Sequence, residues 1–483
     1  MHRKQYLGPN AEVEEALARV CTGPHQTRPL GAKADDPIKP SAILEIILRS
    51  VKGELPEDQA VSEAQMGAFF AGMTIRKGFP KKTQWSEAEI AAFDKYRPDL
   101  ERLMPPEIRF IMQPEVGHTD TNPSEHIVVK ALEKILRGGH LSYDETREMG
   151  KAILNEDMSG ALKGAALIGQ RMNLENYDEV RGYLDATFGP EGVRDVFVES
   201  LTHFGQPFDG ATRYFRPTLF IAAVRAALDE PSVLHGVDEM PPKSGITEER
   251  ILHVLGARTD LSLDEAARLI EDPAVGFAYV SQREYAPGAY DVRELRVHIK
   301  KRPPWAATEK AQQLFNASGA NYMVIGYYHP GYETPLLQLI WERGFQAGLV
   351  VKGEEGTSHY ALRLGNPSTE ERQAINYSQG FRRIGGRRED FSLDIDPSEF
   401  GFNYKKNPRI ETISPEAFAS AGREALSGQK GQIYDRLVLN TAMTDYLLGL
   451  CSDPHEAIER TKEAIDSGRA LTHLKKYIAK SNL

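Results

Sequence analysis

The sequence predicts an α+β/α/β fold, in which an N-terminal all-helical domain precedes a larger α/β domain with a mostly parallel central sheet flanked by helices. Three observations support this prediction. Apolar residues recur at helical spacing in the first part of the chain, strand-like and helical segments alternate from about residue 193, and two glycine-containing loops each join a strand-like run to a helical pattern. A chain of 483 residues can form roughly two to four domains.

The composition is that of a soluble globular protein, with 41% apolar and 27% charged residues. A net charge of −10 disfavours general binding to nucleic acids. The two cysteines, Cys21 and Cys451, exclude a disulfide framework and a cysteine-based zinc cluster. No segment has the length of apolar sequence that a membrane-spanning helix needs. We therefore expect a cytoplasmic protein with no membrane partner.

The first part of the chain divides into three segments. Residues 1–40 are polar and rich in Pro and Gly, which favours an N-terminal arm rather than a domain. Residues 41–125 show helical periodicity and then a proline-rich linker, and residues 126–193 form a second helical domain. We therefore expect an arm, an extra helical unit and a helical domain, in that order.

The two helical segments resemble one another in the order of their features. Ile47-Leu-Arg49 and Gly67-Ala68 of the first segment correspond to Ile135-Leu-Arg137 and Gly160-Ala161 of the second. This order predicts a duplicated helical unit. The alternative, that amphipathic helices look alike without duplication, remains open at this point.

Residues 194–412 are predicted to form the α/β domain, because strands and helices alternate in a βαβ order that implies a parallel sheet. The strand candidates are rich in Val, Ile and aromatic residues: Val196–Val198 with Leu201, Pro231–Leu234, Val275–Val280, Tyr322–Tyr327 and Ala347–Val351. The helix candidates between them are Asp264–Ile270 and Pro335–Arg343. Residues 413–483 are predicted as helices that pack on this domain: 414–426, 435–448 and a final helix over 454–479.

Two loops in the α/β domain have the composition of an anion site. They are Phe204–Gly210 and His235–Gly245, and each follows a strand-like run and precedes a helical pattern. Glycine and small polar residues in such a place allow backbone N–H groups to face an anion. Two such loops in succession predict a phosphate-binding cleft at the ends of the strands.

Short sequence motifs occur in a fixed order between residues 205 and 401. They are Gly205-Gln-Pro-Phe-Asp-Gly210, Leu234-His-Gly-Val-Asp238, Pro241-Pro-Lys-Ser-Gly245, Tyr285-Ala-Pro287 with Arg296, Ile299-Lys-Lys-Arg302, Val350-Val-Lys-Gly-Glu-Glu-Gly356 and Asp396-Pro-Ser-Glu-Phe-Gly401. Over residues 127–480 this order resembles the anthranilate phosphoribosyltransferase family, which has the class III nucleoside phosphorylase/phosphoribosyltransferase fold. The residues within these motifs are most similar to those of a divergent branch of that family, and this similarity implies no particular activity.

The chain departs from the family pattern where the family holds diphosphate and metal. Pro207 and Phe208 replace two glycines of the first loop, and only Thr218 remains of the Asn-x-Ser-Thr that follows. The metal-binding Asp-Glu pair of the family corresponds to Ser358-His359, which suits Mg²⁺ poorly. Glu354 and Glu355 are therefore the candidate ligands for Mg²⁺, the one candidate cofactor, and a solvated loop is the alternative.

No catalytic residue is assigned, but the resemblance and the residue types predict a set that binds substrate or phosphate: Gly205, Asp209, Gly210, Thr218, His235, Gly236, Lys243, Ser244, Arg296 and Arg302. Further cationic and aromatic candidates are Arg213, Arg216, Lys300, Lys301 and Trp305. Three alternatives stay open: His235 as a structural hydrogen-bonding residue, Asp209 as a turn or cap residue, and Arg296 as a surface ion pair.

One further basic cluster lies outside this set. Arg382-Arg383 and Arg387-Arg388 flank Ile384-Gly-Gly386, and the glycines indicate a mobile loop that attracts anions. A plain surface loop is the alternative.

The resemblance implies a glycosyltransferase or phosphoribosyltransferase-like protein with a degenerate PRPP and Mg²⁺ site. It would bind a phosphorylated sugar or similar small anion in the cleft between the helical and α/β domains, and, if active, it would be a pentosyltransferase. The alternatives are a non-catalytic paralogue that binds anions or nucleic acid, and a nucleoside phosphorylase. The family also implies a homodimer. Neither the acceptor nor catalytic activity follows from the sequence.

Overall fold

The computed structural model describes residues 9–154, 157–306 and 308–483, and the chain forms two compact units. One unit runs from the N-terminus to Thr187 and also contains Asp291–Ala306. The other contains Phe188–Tyr290 and Ala307–Leu483. The first unit is helical and the second holds the sheet, which confirms the predicted fold class.

The helical unit begins with a series of helices whose apolar faces form one core. They are α1 (Ala11–Val20), α2 (Pro40–Val51), α3 (Glu63–Arg76), α4 (Glu87–Leu103), α5 (Pro106–Met112), α6 (Pro123–Ile135), α7 (Tyr143–Ile153), α8 (Gly160–Asn173) and α9 (Tyr177–Thr187). Several begin at a capping box, in which the cap residue and the third helical residue exchange hydrogen bonds: Ser62 with Gln65, Ser86 with Glu89, Asn122 with Glu125 and Ser142 with Glu145.

Helices α3 and α8 pack closely because glycine removes a side chain from each contact. A Cβ atom on Gly67 would overlap the carbonyl oxygen of Ala161, and one on Gly164 would overlap that of Ala64. The same step of 97 residues separates Ala64 from Ala161 and Gly67 from Gly164. The contact is therefore reciprocal, as in an interface between two copies of one element.

The structure corrects the predicted arm over residues 1–40, of which residues 1–8 lie outside the described part. Asn10 caps α1, whose Val13, Leu17 and Val20 are fully buried in the helical core. The spacing of these apolar residues makes α1 amphipathic, although the polar and Pro/Gly-rich surroundings obscure that pattern in the sequence. Residues 9–40 therefore belong to the helical unit.

The α/β unit alternates strands and helices in its first half. The elements are β1 (Arg194–Val196), β2 (Ser200–Gly205), α10 (Thr218–Ala226), β3 (Ser232–Gly236), α11 (Glu248–Leu255), α12 (Leu263–Glu271), β4 (Phe277–Ser281), α13 (Gln282–Tyr285) and α14 (Pro287–Asp291). The chain then enters the helical unit, where Val292 and the residues Leu295 and Ile299 of α15 (Leu295–Ile299) lie in the core. This excursion interrupts the predicted continuous domain of residues 194–412.

The second half of the α/β unit completes the sheet and adds helices. The elements are β5 (Phe315–Ala317), β6 (Ala320–Gly326), α16 (Glu333–Glu342), β7 (Ala347–Lys352), β8 (Tyr377–Ile384), β9 (Arg387–Asp394), α17 (Pro415–Leu426), α18 (Gln432–Leu448), α19 (Pro454–Asp466) and α20 (Arg469–Ser481). The single helix predicted over 454–479 is two helices, because Gly468 adopts φ +75° between them.

The main sheet has the strand order β4-β3-β2-β6-β7-β8-β9. The strands from β4 to β7 in this order are parallel, and β8 and β9 are antiparallel. In register, Phe204 of β2 lies beside Leu234 of β3 and Val324 of β6. A separate parallel pair joins β1 to β5. No helix in the described part of the chain is long and apolar enough to cross a membrane.

The basic segment 382–388 is a β-hairpin and not a mobile loop. Ile384 pairs with Arg387 across Gly385 and Gly386, which both have positive φ as a type I′ turn requires. Arg382 donates to the carbonyl oxygens of residues 446 and 447 at 2.6 and 2.9 Å. Other arginines of the hairpin are also engaged: Arg383 lies 3.7 Å from the Trp341 ring centroid, and Arg388 lies 4.7 Å from that of Phe381.

Candidate functional site

The candidate site lies in the α/β unit, at the edge of the sheet where the parallel strands end. The strands β2, β3, β4, β6 and β7 run in one direction, so the loops that follow them meet at the same edge. In open parallel sheets this edge is where ligands bind. The loops after β2, β3 and β7 carry most of the predicted residues.

The two glycine-containing loops are joined to each other by their backbones. Gly245 donates to the carbonyl oxygen of Asp209 at 2.9 Å, and Ala211 and Ile246 exchange two hydrogen bonds of 2.9 Å. Gly210 has φ +74°, and a Cβ atom there would overlap Gly245. Glycine at this position therefore allows the two loops to approach each other, a role that the anion-site prediction did not include.

The other predicted glycines also lie at close approaches. A Cβ atom on Gly205 would overlap the carbonyl oxygen of Lys310, and one on Gly236 would lie 3.2 Å from the hydroxyl of Tyr279. The contact at Gly205 excludes a side chain at the end of β2, whereas a Cβ atom on Gly236 would only make a tight contact with a tyrosine hydroxyl. The predicted role of these glycines in phosphate binding stays a prediction.

Lys243 lies at the centre of the site. Its Nζ donates to the carbonyl oxygen of Gly210 at 2.6 Å and lies 3.0 Å from Oε1 of Glu355. The Glu355 carboxylate also accepts backbone hydrogen bonds from residues 212, 213 and 214. Burial raises the pKa of Glu355, but Lys243 and Thr212 outweigh that effect and hold the pKa below its usual value. The predicted cation Lys243 thus has an anionic partner from the β7 loop.

Glu354, the other predicted metal ligand, has an entirely different partner. Its Oε2 accepts from Nη1 of Arg436 at 2.5 Å, and its Oε1 accepts from Nδ2 of Asn407 at 2.5 Å. The carboxylate and the guanidinium are both buried, with side chains 2% and 1% exposed. Glu354 is therefore part of a buried ion pair on the opposite side of its loop from Glu355.

The positions that correspond to the metal-binding pair carry neutral hydrogen bonds. Gln206 donates to the hydroxyl of Ser358 at 2.5 Å and accepts from its backbone N–H at 3.0 Å. The hydroxyl of Thr218 lies 2.6 Å from Nε2 of His359. Burial, with Arg216 nearby, holds the pKa of His359 well below its usual value, so its ring is neutral.

These contacts bear on the predicted Mg²⁺ site. Glu354 and Glu355 already bind a guanidinium and an ammonium group, respectively. Within residues 9–154, 157–306 and 308–483, no group of three or more His, Cys, Asp or Glu side chains converges in a way that could hold a metal ion. The residues at this edge therefore do not fit a resident Mg²⁺.

The strand β3 continues past its predicted end at Leu234 and includes His235, which is not a cation. Burial lowers its pKa to about 4, so the ring is neutral at physiological pH. The rings of Phe208 and Tyr285 lie edge-on to it at 5.6 and 6.1 Å. Neither ring nitrogen has a hydrogen-bond partner among the described residues. A buried imidazole with two unsatisfied nitrogens is chemically suited to a polar ligand.

Two residues near His235 also have buried polar atoms that lack hydrogen-bond partners in the part of the chain that the structure describes. The hydroxyl of Tyr285 and both polar atoms of the Gln282 side chain are buried and also lack partners within the described part. Register places the His235 strand beside the β4 residues that immediately precede Gln282. The sequence motif predicts Tyr285 but not Gln282, because nothing in the local pattern distinguishes Gln282 from a surface glutamine.

The remaining predicted site residues of the α/β unit, two arginines and a serine, differ in their surroundings. Arg216 is buried in an ion pair with Glu248, with Nε 2.6 Å from Oε1. Arg213 is half exposed, and its Nε lies 3.6 Å from Glu355. Ser244 has φ +50° and donates its N–H to the carbonyl oxygen of residue 240 at 3.0 Å. Arg216 is therefore structural, whereas Arg213 remains accessible to solvent.

The other predicted candidates lie in the helical unit. Arg296 is buried on α15, and Arg302 follows that helix and is exposed. Lys300 pairs with Glu14 at 3.1 Å, and Lys301 donates to the carbonyl oxygen of residue 18 at 2.9 Å. The side chain of Trp305 lies outside the described part of the structure. The run 300–302 is therefore ordered by α1, and the ligand roles of Arg296 and Arg302 stay predictions.

Comparison with known proteins supports the same fold and family. The glycosyl transferase family α/β domain matches residues 213–471, and the helical bundle domain of that family matches residues 129–187. The chain belongs to this glycosyl transferase family. Within it, the chain is an anthranilate phosphoribosyltransferase-like member, as the sequence motifs predicted.

Relatives in the glycosyl transferase family are similar along most of their length. An anthranilate phosphoribosyltransferase of Rhodopseudomonas palustris is 25% identical and aligns over 72% of this chain and 97% of its own. The enzyme of that name from Aquifex aeolicus is also 25% identical, over 74% of this chain and 99% of its own. The family models begin at residue 129 and therefore do not include helices α1 to α5.

Solved structures show the same fold. Anthranilate phosphoribosyltransferase from Thermus thermophilus has a TM-score of 0.56 at 20% identity, covering 74% of this chain and 99% of its own. The Saccharomyces cerevisiae enzyme in complex with PRPP and Mg has a TM-score of 0.58 at 17% identity, covering 74% and 98%. At 20% and 17% identity, these comparisons show that this chain has the same fold as those enzymes.

Proposed function

We propose that the α/β unit binds a phosphorylated sugar or a similar small anion at the carboxyl edge of its sheet, and that its reaction is pentosyl transfer. The observation that carries the proposal is that Lys243 and the backbone N–H groups of residues 212–214 converge on one anionic group, the carboxylate of Glu355. Such a set of donors suits phosphate oxygens. The yeast relative, which is in complex with PRPP and Mg, supports this class of ligand.

Lys243 would supply the positive charge for the leaving diphosphate. The bond between the sugar carbon and the diphosphate oxygen breaks with negative charge developing on the oxygen, and a fixed cation stabilises that charge. Because the residues at this edge do not form a carboxylate site, Mg²⁺ would reach it only as a complex with the ligand's own diphosphate.

The buried polar group at β3 would hold the other substrate. His235 is neutral, and the rings of Phe208 and Tyr285 lie edge-on to it. Tyr285 and Gln282 supply further buried polar atoms that have no hydrogen-bond partner among the described residues. A planar ring with a polar edge suits these surroundings. A second structure of the yeast anthranilate phosphoribosyltransferase is in complex with 4-fluoroanthranilate, a ligand of this chemical type.

Binding without catalysis is the second candidate, because the hydrogen bonds Gln206–Ser358 and Thr218–His359 occupy the positions of the family's metal site. A nucleic-acid-binding paralogue is less well supported, since the arginines Arg382, Arg383 and Arg388 of the basic hairpin already have partners. Cytoplasmic location and a homodimer are further parts of this proposal.

Thermal stability and calorimetric titration with phosphate compounds test the proposal. PRPP, pyrophosphate, phosphate, ribose 5-phosphate and nucleosides are compared with and without Mg²⁺. We expect at least one phosphate compound to stabilise the wild-type protein, and Lys243→Met to weaken its binding by about tenfold or more. The matched control Lys405→Met removes an exposed lysine and is expected to bind like the wild type.

Two results separate the candidates. No response of the wild-type protein to any phosphate compound would overturn the proposal. Binding of PRPP with no release of pyrophosphate in the presence of a range of aromatic acids and bases would favour the non-catalytic candidate.

A further inference from the structure

The Glu355 carboxylate occupies a complete set of anion-binding donors. Its two oxygens accept from the N–H groups of Thr212, Arg213 and Tyr214 at 3.1, 3.1 and 3.2 Å and from the Thr212 hydroxyl at 2.9 Å. The ammonium group of Lys243 lies 3.0 Å away. Five donors therefore converge on one carboxylate group whose side chain is 2% exposed.

The donors and the acceptor come from different loops. The N–H groups follow β2 and Lys243 follows β3, whereas Glu355 follows β7. Successive backbone N–H groups that point to one side, together with a lysine, are the arrangement by which proteins bind phosphate oxygens. The loop remains reachable from solvent, because Thr212 and Arg213 are exposed.

The backbone at Glu355 is strained. Glu355 has φ 53° and ψ 22°, a left-handed conformation that residues with a Cβ atom rarely adopt. It lies between Gly353 and Gly356, and glycine is the residue that most easily changes its backbone conformation. The contacts of the carboxylate thus hold a conformation that the backbone alone disfavours.

We propose that Glu355 is an internal substitute for a phosphate-type oxyanion, and that an external phosphate or diphosphate group binds to the same five donors when Glu355 leaves them. The carboxylate competes with the ligand and so weakens its binding. The proposal deepens the proposed function and rests on it for the class of ligand.

The decisive variant is Glu355→Gly, which removes the carboxylate and suits the left-handed backbone of this position. Inorganic phosphate and pyrophosphate are titrated by calorimetry at constant ionic strength, with sodium chloride as the balancing salt. We expect both anions to bind about tenfold more tightly, or better, to the variant than to the wild-type protein. Adding Lys243→Met to the variant is expected to abolish the gain.

A matched control removes a charge without touching the donors. Glu239 is an exposed glutamate of the loop that also carries Lys243, and Glu239→Gln is expected to leave phosphate affinity unchanged. If Glu355→Gly does not fold, as judged by circular dichroism, Glu355→Asn replaces it, because asparagine tolerates the left-handed region and is shorter and uncharged.

Either of two results would overturn the proposal: a folded Glu355 variant whose phosphate affinity equals that of the wild type, or a gain that persists without Lys243. The result is independent of turnover. Wild-type binding of a phosphate compound with no gain in the variant rejects this inference alone. A gain in the variant with no response of the wild type to any phosphate compound rejects the proposed function alone.

Discussion

Glu354 and Glu355 are adjacent in sequence, and their carboxylates have opposite surroundings. Glu354 points to Arg436 and Asn407, and burial raises its pKa although both partners oppose that change. Glu355 points to Lys243 and to backbone N–H groups, and its pKa lies below the usual value. The Glu354 carboxylate is thus part of the interior, and the Glu355 carboxylate is part of the proposed anion site.

Arg436→Met tests the structural role of Glu354. The substitution leaves a buried carboxylate without its cation, so we expect the free energy of unfolding to fall by about 3–5 kcal/mol. Urea denaturation measures the change, and Arg363→Met at an exposed arginine is the control. Adding Glu354→Gln to Arg436→Met is expected to restore part of the stability. A loss equal to that of the control would show that the pair is not needed for folding.

At the scale of elements, the contact between α3 and α8 depends on the absence of side chains. Gly67 and Gly164 bring one helix backbone against the other, and both helices are buried on nearly all sides. A backbone carbonyl in a packed helix cannot move aside as a flexible side chain can. The two glycines are 97 residues apart, whereas the sequence motifs paired Gly67-Ala68 with Gly160-Ala161, which are 93 residues apart. The reciprocal contact therefore does not follow the predicted pairing, and duplication of the helical unit stays a prediction.

Gly164→Ala is expected to destabilise the helical unit by about 2 kcal/mol or more, because its Cβ atom would overlap the carbonyl oxygen of Ala64. Alanine is otherwise the better helix former, so propensity alone predicts stabilisation. Gly78→Ala is the control, since a Cβ atom there would lie 3.6 Å from the nearest atom, an ordinary contact. Equal thermal stability of the two variants would contradict the packing argument.

At the scale of the whole molecule, the helical unit is formed by two separate segments of the chain. Residues 291–306 leave the α/β unit and belong to the helical one, where Leu295 is 1% exposed in the core. A fragment that ends at Thr187 would therefore lack part of its own core. The predicted boundaries, with one continuous α/β domain over 194–412, do not describe this exchange.

Leu295→Ala is expected to destabilise the helical unit by about 2–5 kcal/mol through loss of a buried side chain and the cavity left behind. Hydrogen exchange followed by mass spectrometry locates the effect. Protection should fall in peptides from 9–187 and 291–306, and it should stay unchanged in those from 200–290 and 308–352. Ile90→Ala, at a residue 48% exposed, is the control. Loss of protection spread evenly over both units would contradict their separate cores.

Much of the fold follows from local patterns. Runs rich in Val, Ile and aromatic residues place β3, β4, β6 and β7 within a few residues of their bounds, and capping residues mark the starts of many helices. The first strand candidate, Val196–Val198 with Leu201, instead spans the end of β1 and the start of β2. The hairpin of β8 and β9 was missed, because its arginines read as a charged loop. Their aliphatic parts and guanidinium groups in fact cover Trp341 and Phe381, a packing role that composition does not reveal.

The sequence by itself determined the fold class and the family, because these depend on periodicity and on the order of short motifs. It also predicted a ligand at one edge of the sheet, from glycine, lysine and histidine near strand ends. Only the tertiary structure decided what those residues do. Lys243 meets Glu355 and Glu354 meets Arg436 across long separations in the chain. His235 is neutral because of burial, which local sequence does not specify. Partners and solvent exposure, and not residue type, set the charge of each group.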